Sequence, residues 1–303
     1  MIAENNLINS LKYKVVIHGT GIEYNMYYSR IAFFEAQGNY EVIGISSEDK
    51  YFSILDGYKF IPEEKLSDVE FDYIFVTNKQ KFIRNVGSKF EEKAIPIEVL
   101  DIPNFNFNRW LKIRNSKLTI VSNTCWGGLT YHFMHLPFNS PFINMHFDFE
   151  NYLLLLSNFR ECIKGKLEQV DTQYDYNLNR EYPVMLLNNE VTLHFNHYTS
   201  EAEAIEAWTR RVKRVNTENI LFQLSTVSPE DAKRFLDVCP EDKIVFVPYE
   251  TNEKGLLTVL PYLTRNDEHA EFWRFVTLSG KGRFSLYDVW ELLENKRIKL
   301  RIK

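Results

Sequence analysis

The pattern of apolar and polar positions in the first third of the chain predicts strands that alternate with helices. The β-branched runs typical of buried strands are Tyr13 to His18, Tyr40 to Ile45 and Phe71 to Val76. Between the first two, residues 22–35 have the pattern of a helix. This order is typical of a parallel, doubly wound sheet. We therefore predict a Rossmann-like α/β domain over residues 1–105, which ends in a strand and linker rich in proline and asparagine, residues 95–108.

The rest of the chain alternates again and predicts a second α/β domain over residues 106–303. Its expected strands are residues 117–123, 142–145, 219–224 and 243–247. Its expected helices are residues 127–136, 149–164, 229–238, 267–276 and 285–296. Residues 165–181 are polar with no clear period, and we expect a loop over a site or an ordinary surface connection there.

A β-hairpin is expected around Asn188 and Asn189, between strands over residues 182–187 and 190–196. In its second strand, Val191, Leu193 and Phe195 fall on one face, and Thr192, His194 and Asn196 fall on the other. A strand covered on both sides is apolar throughout. The polar face is therefore expected to line a cleft or a buried polar network.

A helix is expected to follow the hairpin. Ser200 and Glu203 form a capping box, and the apolar positions recur at helical steps at Ile205, Trp208, Val212 and Val215. The other side carries Arg210, Arg211, Lys213 and Arg214, which fit a solvated helix end. Alternatively, Arg210 or Arg211 binds a phosphate group, because a guanidinium contacts phosphate in a bidentate manner.

Two glycine-bearing turns follow predicted strands. Residues 122–128, with the sequence SNTCWGG, come after an apolar run that ends at Val121. Gly19 and Gly21 come after the first strand. Ligands bind at the carboxyl ends of strands in open α/β sheets, and a helix that starts there offers N–H groups to an anion. The predicted substrate-binding residues in and near the later turn are Ser122, Cys125, Trp126, Gly127, Gly128 and Asn144.

The turn at Gly19 and Gly21 is the candidate for cofactor binding, and it departs from the dinucleotide pattern. Tyr24 stands where the third glycine of G-x-G-x-x-G is expected. Ser46 and Ser47 end the second strand, where a carboxylate binds the ribose of NAD, and Glu48 follows them. A retained nucleotide site and a structural turn both fit this pattern.

His132 and His135 are predicted to share one face of a helix. With Asp148 they could bind a metal ion, but packed or hydrogen-bonded histidines fit as well, and no metal site is predicted. Cys125 could act as a nucleophile if a histidine lowered the pKa of its thiol.

Composition and charge narrow the class of protein. The 303 residues, 45% of them hydrophobic, can bury a sizeable core. Residues 1–105 carry 11 Lys and Arg against 16 Asp and Glu, while the remainder carries 25 of each kind. Neither part has the basic excess of a nucleic-acid binder. The terminal KRIKLRIK can contact an anionic membrane surface weakly, or it can be a solvated helix end.

Cysteine usage and hydropathy bear on the compartment. Cys125, Cys162 and Cys239 are odd in number and lie far apart, which argues against a disulfide framework or a zinc cluster. No signal peptide and no apolar run long enough to span a bilayer is evident. A reducing, cytoplasmic location is expected.

Several motifs carry a resemblance to a known family. SNTCWGG, HLPFNSPFINM at 135–145, and HFNHY at 194–198 with the later WTRRVKRVN resemble bacterial exopolysaccharide and capsule biosynthesis proteins, over about residues 116–250. The resemblance implies a role in surface polysaccharide assembly and supplies no reaction. The first domain resembles the Rossmann-like domains of capsule and sugar-modifying proteins, which implies a nucleotide or nucleotide-sugar ligand.

Three functions are therefore considered. The first is an enzyme that transfers a sugar or related group from a nucleotide- or phosphate-linked donor, with His194 or His197 as general base and with Asn123 and Asn196 orienting the acceptor. The second is a non-catalytic module that binds a nucleotide or glycan. The third is a nicotinamide-dependent sugar oxidoreductase, against which Tyr24 counts.

Overall fold

The computed structural model describes residues 12–48, 53–176, 178–249, 251, 256–258 and 287–297. The chain forms two compact units, Met1–Trp110 and Leu111–Lys303. Both contain a parallel sheet, so the α/β class predicted from the sequence is confirmed. The predicted helix at residues 267–276 and the cations at residues 298–303 lie outside the described residues.

In the first unit, four parallel strands form a sheet in the order β2-β1-β5-β6. They are β1 (Tyr13–His18), β2 (Tyr40–Ser46), β5 (Tyr73–Val76) and β6 (Ala94–Pro96). A small hairpin of β3 (Ile54–Leu55) and β4 (Tyr58–Lys59) lies between β2 and β5 in the chain. The last four residues of β1 are buried, as a strand with neighbours on both sides requires.

The helices of the first unit are α1 (Ile22–Ala36) and α2 (Lys79–Val86), together with 3-10 helices at Glu63–Asp68, Ser88–Phe90 and Ile97–Asp101. A further helix, α3 (Phe107–Ser116), spans the division between the units. Neither α2 nor α3 was predicted. Tyr24 of α1 is fully buried and donates a hydrogen bond to Asp56 Oδ2 at 2.8 Å. A large anchored side chain therefore stands where the dinucleotide pattern has glycine.

In the second unit, a parallel sheet has the order β13-β12-β11-β7. Its strands are β7 (Thr119–Ser122), β11 (Ile220–Ser225), β12 (Asp242–Val247) and β13 (Leu256–Thr258). Tyr152 ties two of them together, because its hydroxyl lies 2.8 Å from the Val121 carbonyl and 3.0 Å from the Gln223 carbonyl.

A three-stranded antiparallel sheet completes the strands of the second unit. It consists of β8 (Leu167–Asp175), β9 (Arg180–Leu187) and β10 (Val191–His194), in the order β10-β9-β8. Asn188 and Asn189 form the predicted turn, both with positive φ, at 55° and 59°. The prediction of a loop at residues 165–181 was wrong, since β8 occupies most of it. Its residues are largely exposed, so the strand depends on its pairing with β9.

The helices of the second unit are α4 (Trp126–Phe133), α5 (Phe149–Ser157), α6 (Phe159–Cys162), α7 (Glu201–Val212), α8 (Pro229–Val238) and α9 (Val289–Asn295). The predicted helix at 149–164 is broken at Asn158, which has non-helical φ and ψ. The one predicted at 285–296 begins at Val289, where Asp288 caps it.

Helix α4 is shorter than predicted. It ends at Phe133, and His135 has a positive φ of 48°. His132 and His135 therefore do not share a helix face, and their ring centroids lie 6.4 Å apart. The strand predicted at residues 142–145 is also absent, and only His146 pairs there, in an isolated bridge with His194.

The buried face of α7 differs from the predicted one. Ala204, Ala207, Trp208 and Arg211 are buried, whereas Ile205 is 36% exposed. Ser200 accepts a hydrogen bond from Glu203 N at 3.3 Å, so the predicted cap is present. Arg211 belongs to the interior, which corrects its assignment to a solvated cationic face.

Candidate functional site

The site is built on the elbow, by which we mean residues 122–128, between β7 and α4. Ser122 Oγ accepts a hydrogen bond from Gly127 N at 3.0 Å and donates one to the Thr124 carbonyl at 2.7 Å. This hydroxyl is buried and folds the turn. The elbow thereby places Cys125 immediately before the first turn of α4.

The two glycines of the elbow allow the helix to pack closely. A Cβ on Gly127 would lie 2.9 Å from Ser122 Oγ and 3.1 Å from Ile120 Cγ2. A Cβ on Gly128 would lie 3.2 Å from Ile143 Cγ2. The space beside both glycines is therefore filled by the protein's own side chains. Both glycines had been predicted as substrate-binding residues.

Two more residues of the elbow are held by the protein itself. The Asn123 amide group donates to the Ser225 carbonyl at 3.0 Å and accepts from Ser225 N at 2.8 Å. It thus joins the ends of β7 and β11. Trp126 is fully buried, and its Nε1 donates to the Tyr287 hydroxyl at 2.9 Å. Of the elbow, Cys125 is the reactive group that keeps partial exposure.

The histidine loop, by which we mean residues 194–198, brings an imidazole to the elbow. His197 Nε2 lies 3.7 Å from Cys125 Sγ, although 72 residues separate them in the chain. Burial raises the pKa of the Cys125 thiol. Burial, and then the charge of Arg180, lowers the pKa of His197, while Asp175 opposes this shift. Near neutral pH, the pair is therefore an uncharged thiol beside an uncharged imidazole.

A second pair of histidines lies at the start of the loop. The rings of His146 and His194 are stacked, with centroids 4.5 Å apart. His194 is only 7% exposed, and its Nε2 lies 3.3 Å from Asp148 Oδ2. Burial, and then the nearby His194, lowers the pKa of His146. His146 was not predicted as a site residue.

Asn196 connects the histidine loop to the β8–β9 hairpin. Its Nδ2 lies 3.5 Å from Asp175 Oδ2, and its carbonyl accepts from Arg180 Nη2 at 3.4 Å. The same two hairpin residues influence the pKa of His197. The hairpin thus supplies charges that surround the loop.

The remaining predicted binding residues are Asn144, Arg210 and Arg211. Asn144 is exposed with a φ of 61°. Arg210 is exposed and lies 3.6 Å from Glu206 Oε1. The guanidinium of buried Arg211 donates to the Tyr198 hydroxyl and lies 5.4 Å from the centre of the Phe138 ring.

A separate pocket lies in the first unit, at the carboxyl ends of β1, β2 and β5. It has a volume of about 270 Å³. Its lining residues are His18, Gly19, Thr20, Gly21, Glu23, Ser47, Glu48, Thr77, Asn78 and Lys81. The order β2-β1-β5 places it where the strand order reverses, which is the usual ligand position in such sheets.

Three titratable side chains of this pocket, His18, Glu48 and Lys81, have a partner of opposite type. His18 Nε2 lies 2.6 Å from Glu63 Oε1, and Lys81 Nζ lies 3.1 Å from Glu48 Oε2. A Cβ on Gly19 would overlap the Thr77 side chain, and its φ is 104°. Gly19 is therefore required by the turn itself. A Cβ on Gly21 would contact only Glu23 Oε2, at 3.4 Å, so a side chain would fit at this position without a clash.

Residues 97–294 match the family model described as a domain of unknown function, DUF1919. The chain belongs to the DUF1919 family. Residues 11–96 are similar to the model described as C2185-like, N-terminal. An uncharacterised protein of Haemophilus influenzae is 28% identical over 191 residues, which cover 61% of this chain and 88% of that protein.

The DUF1919 region contains the elbow, the histidine loop and the β8–β9 hairpin, and the pocket of the first unit lies outside it. Within the described residues, no group of three or more His, Cys, Asp or Glu side chains is arranged to hold a metal ion. No helix of the described part of the chain is long and apolar enough to cross a membrane.

Proposed function

We propose that the protein is an enzyme of bacterial cell-surface polysaccharide assembly, which transfers a sugar or a related group from an activated donor in the cytoplasm. The observation that carries the proposal is the contact of 3.7 Å between His197 Nε2 and Cys125 Sγ at the carboxyl end of a parallel sheet. The assignment to polysaccharide assembly rests on the resemblance of the SNTCWGG and HFNHY motifs to exopolysaccharide and capsule biosynthesis proteins. The three free cysteines fit a reducing compartment.

His197 is the proposed general base. A base must be unprotonated at the working pH, and the lowered pKa of His197 meets this condition near neutrality. It is partly exposed, so an acceptor hydroxyl can approach it. His194 is the less suitable of the two predicted bases, because it is buried against His146 and bonded to Asp148. Its proposed role is to hold the loop that carries His197.

The pocket of the first unit is the proposed site for the nucleotide part of a donor. The hydroxyls of Thr20 and Ser47 and the amide of Asn78 line it, and they suit the hydroxyl groups of a ribose or a sugar. Two carboxylates, Glu23 and Glu48, and one cation, Lys81, line the pocket, and this excess of negative charge disfavours an isolated pyrophosphate. The pocket also favours a second candidate, a module that binds a nucleotide or glycan without catalysis.

The test combines binding and turnover with a panel of nucleotide-linked sugars and monosaccharide acceptors. Mass spectrometry should detect a transferred product with the full chain. His197→Gln should lower the rate by about 100-fold to 10,000-fold, the usual contribution of a general base. His132→Gln, at an exposed histidine of α4, is the control and should retain the rate. Product formation unchanged by His197→Gln contradicts the proposal, and thermal stabilisation by a nucleotide with no product supports the binding module.

A further inference from the structure

The three cysteines of the chain differ in exposure. Cys162 and Cys239 are buried at 0% and 1% exposure, whereas Cys125 is partly exposed at the end of β7. Burial raises the pKa of all three thiols. A thiol with a raised pKa is a poor nucleophile at neutral pH unless a base takes its proton. Of the three, Cys125 has an imidazole nitrogen within 4 Å in the described structure.

The position of Cys125 at the start of a helix also bears on its chemistry. It stands on a tight turn between a strand and a helix, and the close packing of Gly127 on Ile120 and Ser122 keeps that turn compact. Cys125 lies three residues beyond the end of β7 and immediately before α4. The N–H of Trp126, the next residue, has a weak contact of 3.5 Å with Thr124 Oγ1. It lies at the N-terminus of α4, where negative charge on an oxygen is stabilised.

We infer that Cys125 is a catalytic nucleophile that carries an acyl group as a thioester, with His197 as its base. The inference rests on the proposed transfer reaction and narrows the transferred group to an acyl group. The inferred reaction uses an activated acyl ester or thioester as donor and a hydroxyl compound as acceptor.

A covalent intermediate on Cys125 fits acyl transfer better than it fits glycosyl transfer. Glycosyl transfer through an enzyme-bound intermediate relies on carboxylates beside the reacting carbon. Within the described residues, the interactions of Cys125 include an imidazole and no carboxylate. Asp148 is bonded to His194, while Asp175 lies 3.5 Å from Asn196 Nδ2 and acts on the pKa of His197. A thiol beside an imidazole is the arrangement that acyl transfer requires.

The reaction proceeds in two balanced steps. Cys125 Sγ attacks the donor carbonyl carbon as His197 Nε2 takes the thiol proton. The bond to the leaving oxygen or sulfur then breaks with its electron pair, and the leaving group takes that proton from His197. In the second step an acceptor hydroxyl gives its proton to Nε2 and attacks the thioester carbon, and Cys125 leaves and recovers the proton.

The experiment uses p-nitrophenyl acetate with the full chain. Wild-type protein should release one equivalent of p-nitrophenolate rapidly, and peptide mass mapping after an acid quench should place one acetyl group, removable by hydroxylamine, on Cys125. Cys125→Ala should abolish this label. His197→Gln should slow acylation by about 100-fold to 10,000-fold. His132→Gln should acylate at the wild-type rate.

The pH profile separates a base from a residue that only supports the fold. In the wild type, the rate should be level at neutral pH and should fall with a midpoint below pH 6.5, the ordinary pKa of histidine, as His197 becomes protonated. In His197→Gln, the rate should keep rising into the alkaline range as the thiol ionises. Acetylation at another residue, or an equal rate and profile in His197→Gln, overturns the inference.

The same variants distinguish this inference from the proposed function. If Cys125→Ala still forms product from a nucleotide-linked sugar while His197→Gln does not, the thioester is wrong and the transferase proposal stands. If the wild type forms acetyl-Cys125 through His197 but no activated sugar yields product, the inference stands and the sugar-donor proposal fails.

Discussion

In the first unit, the titratable side chains at the carboxyl ends of the strands are paired with one another. His18 is bonded to Glu63, and Lys81 lies beside Glu48. In the second unit, a thiol and an imidazole meet at the carboxyl end of β7 without a charge on either group near neutral pH. In the first unit, the pocket lined by His18, Glu48, Lys81 and hydroxyl groups can bind a ligand. An uncharged acid and base in contact can move a proton, so we assign binding to the first unit and chemistry to the second.

The largest losses of stability are expected when the glycines of the two turns are replaced. Gly19→Ala places a side chain at φ 104° and against Thr77, and it should cost about 3 kcal/mol or more in the free energy of unfolding. Gly127→Ala should cost about 1–3 kcal/mol, because its Cβ would press on Ser122 and Ile120. Chemical denaturation measures both.

Gly21→Ala is the matched control, because its Cβ would lie 3.4 Å from the Glu23 carboxylate and its φ is −79°. It should cost less than about 1 kcal/mol, the loss expected for replacing glycine by alanine at a helix N-cap. An equal loss of stability at Gly21 and Gly19 would contradict the account of the first turn.

Two neighbouring arginines give the next largest contrast. Arg211→Ala removes a buried guanidinium that is bonded to the Tyr198 hydroxyl and packed on Phe138, and it should destabilise the protein by about 1–3 kcal/mol. Arg210→Ala removes an exposed ion pair with Glu206 and should change stability by less than about 0.5 kcal/mol. Thermal and denaturant unfolding of the two variants should rank them in this order, and the opposite order would show that Arg211 is not an interior residue.

A smaller effect is expected from two buried tyrosine hydroxyls. Tyr152→Phe leaves the carbonyls of Val121 and Gln223 without the hydroxyl they share, and Tyr24→Phe removes the bond to Asp56. Each should cost about 0.5–1.5 kcal/mol. Because β7 and β11 also frame the elbow, Tyr152→Phe alone should slow the acetylation of Cys125. If Tyr24→Phe slowed the acetylation of Cys125 to the same degree, the assignment of the chemistry to the second unit alone would be contradicted.

The smallest effect is the pH dependence of stability. Burial lowers the pKa of His18, His146 and His197 in the folded protein from 6.5. The unfolded chain therefore binds more protons below pH 6.5, so the free energy of unfolding should fall from about pH 7 to about pH 5. His146→Phe, which keeps a ring against His194, should reduce this slope. A slope that His146→Phe leaves unchanged would remove His146 as a contributor.

More of the fold than of the candidate site could be predicted from the sequence. Most strands of the two parallel sheets were predicted, because their buried runs are apolar and often β-branched, as in Tyr13–His18. Strand β13 (Leu256–Thr258) was not predicted. Strand β8 was missed because most of its residues are exposed, and its partner β9, rather than an apolar pattern, fixes it. The burial of Arg211 was missed because it depends on contacts with Tyr198 and Phe138, and the local sequence pattern does not indicate such contacts. Cys125 and His197 were each predicted as site residues. Their contact was not predicted, because it depends on the packing of the histidine loop against the elbow.

The central claim is that His197 is an uncharged base beside Cys125 at neutral pH. It is tested most directly by NMR titration of the His197 ring nitrogens in the full chain, with His197→Gln used to assign the signals. The account predicts a midpoint below 6.5 and a neutral ring at pH 7. A midpoint above 6.5, with the ring protonated at pH 7, would contradict it.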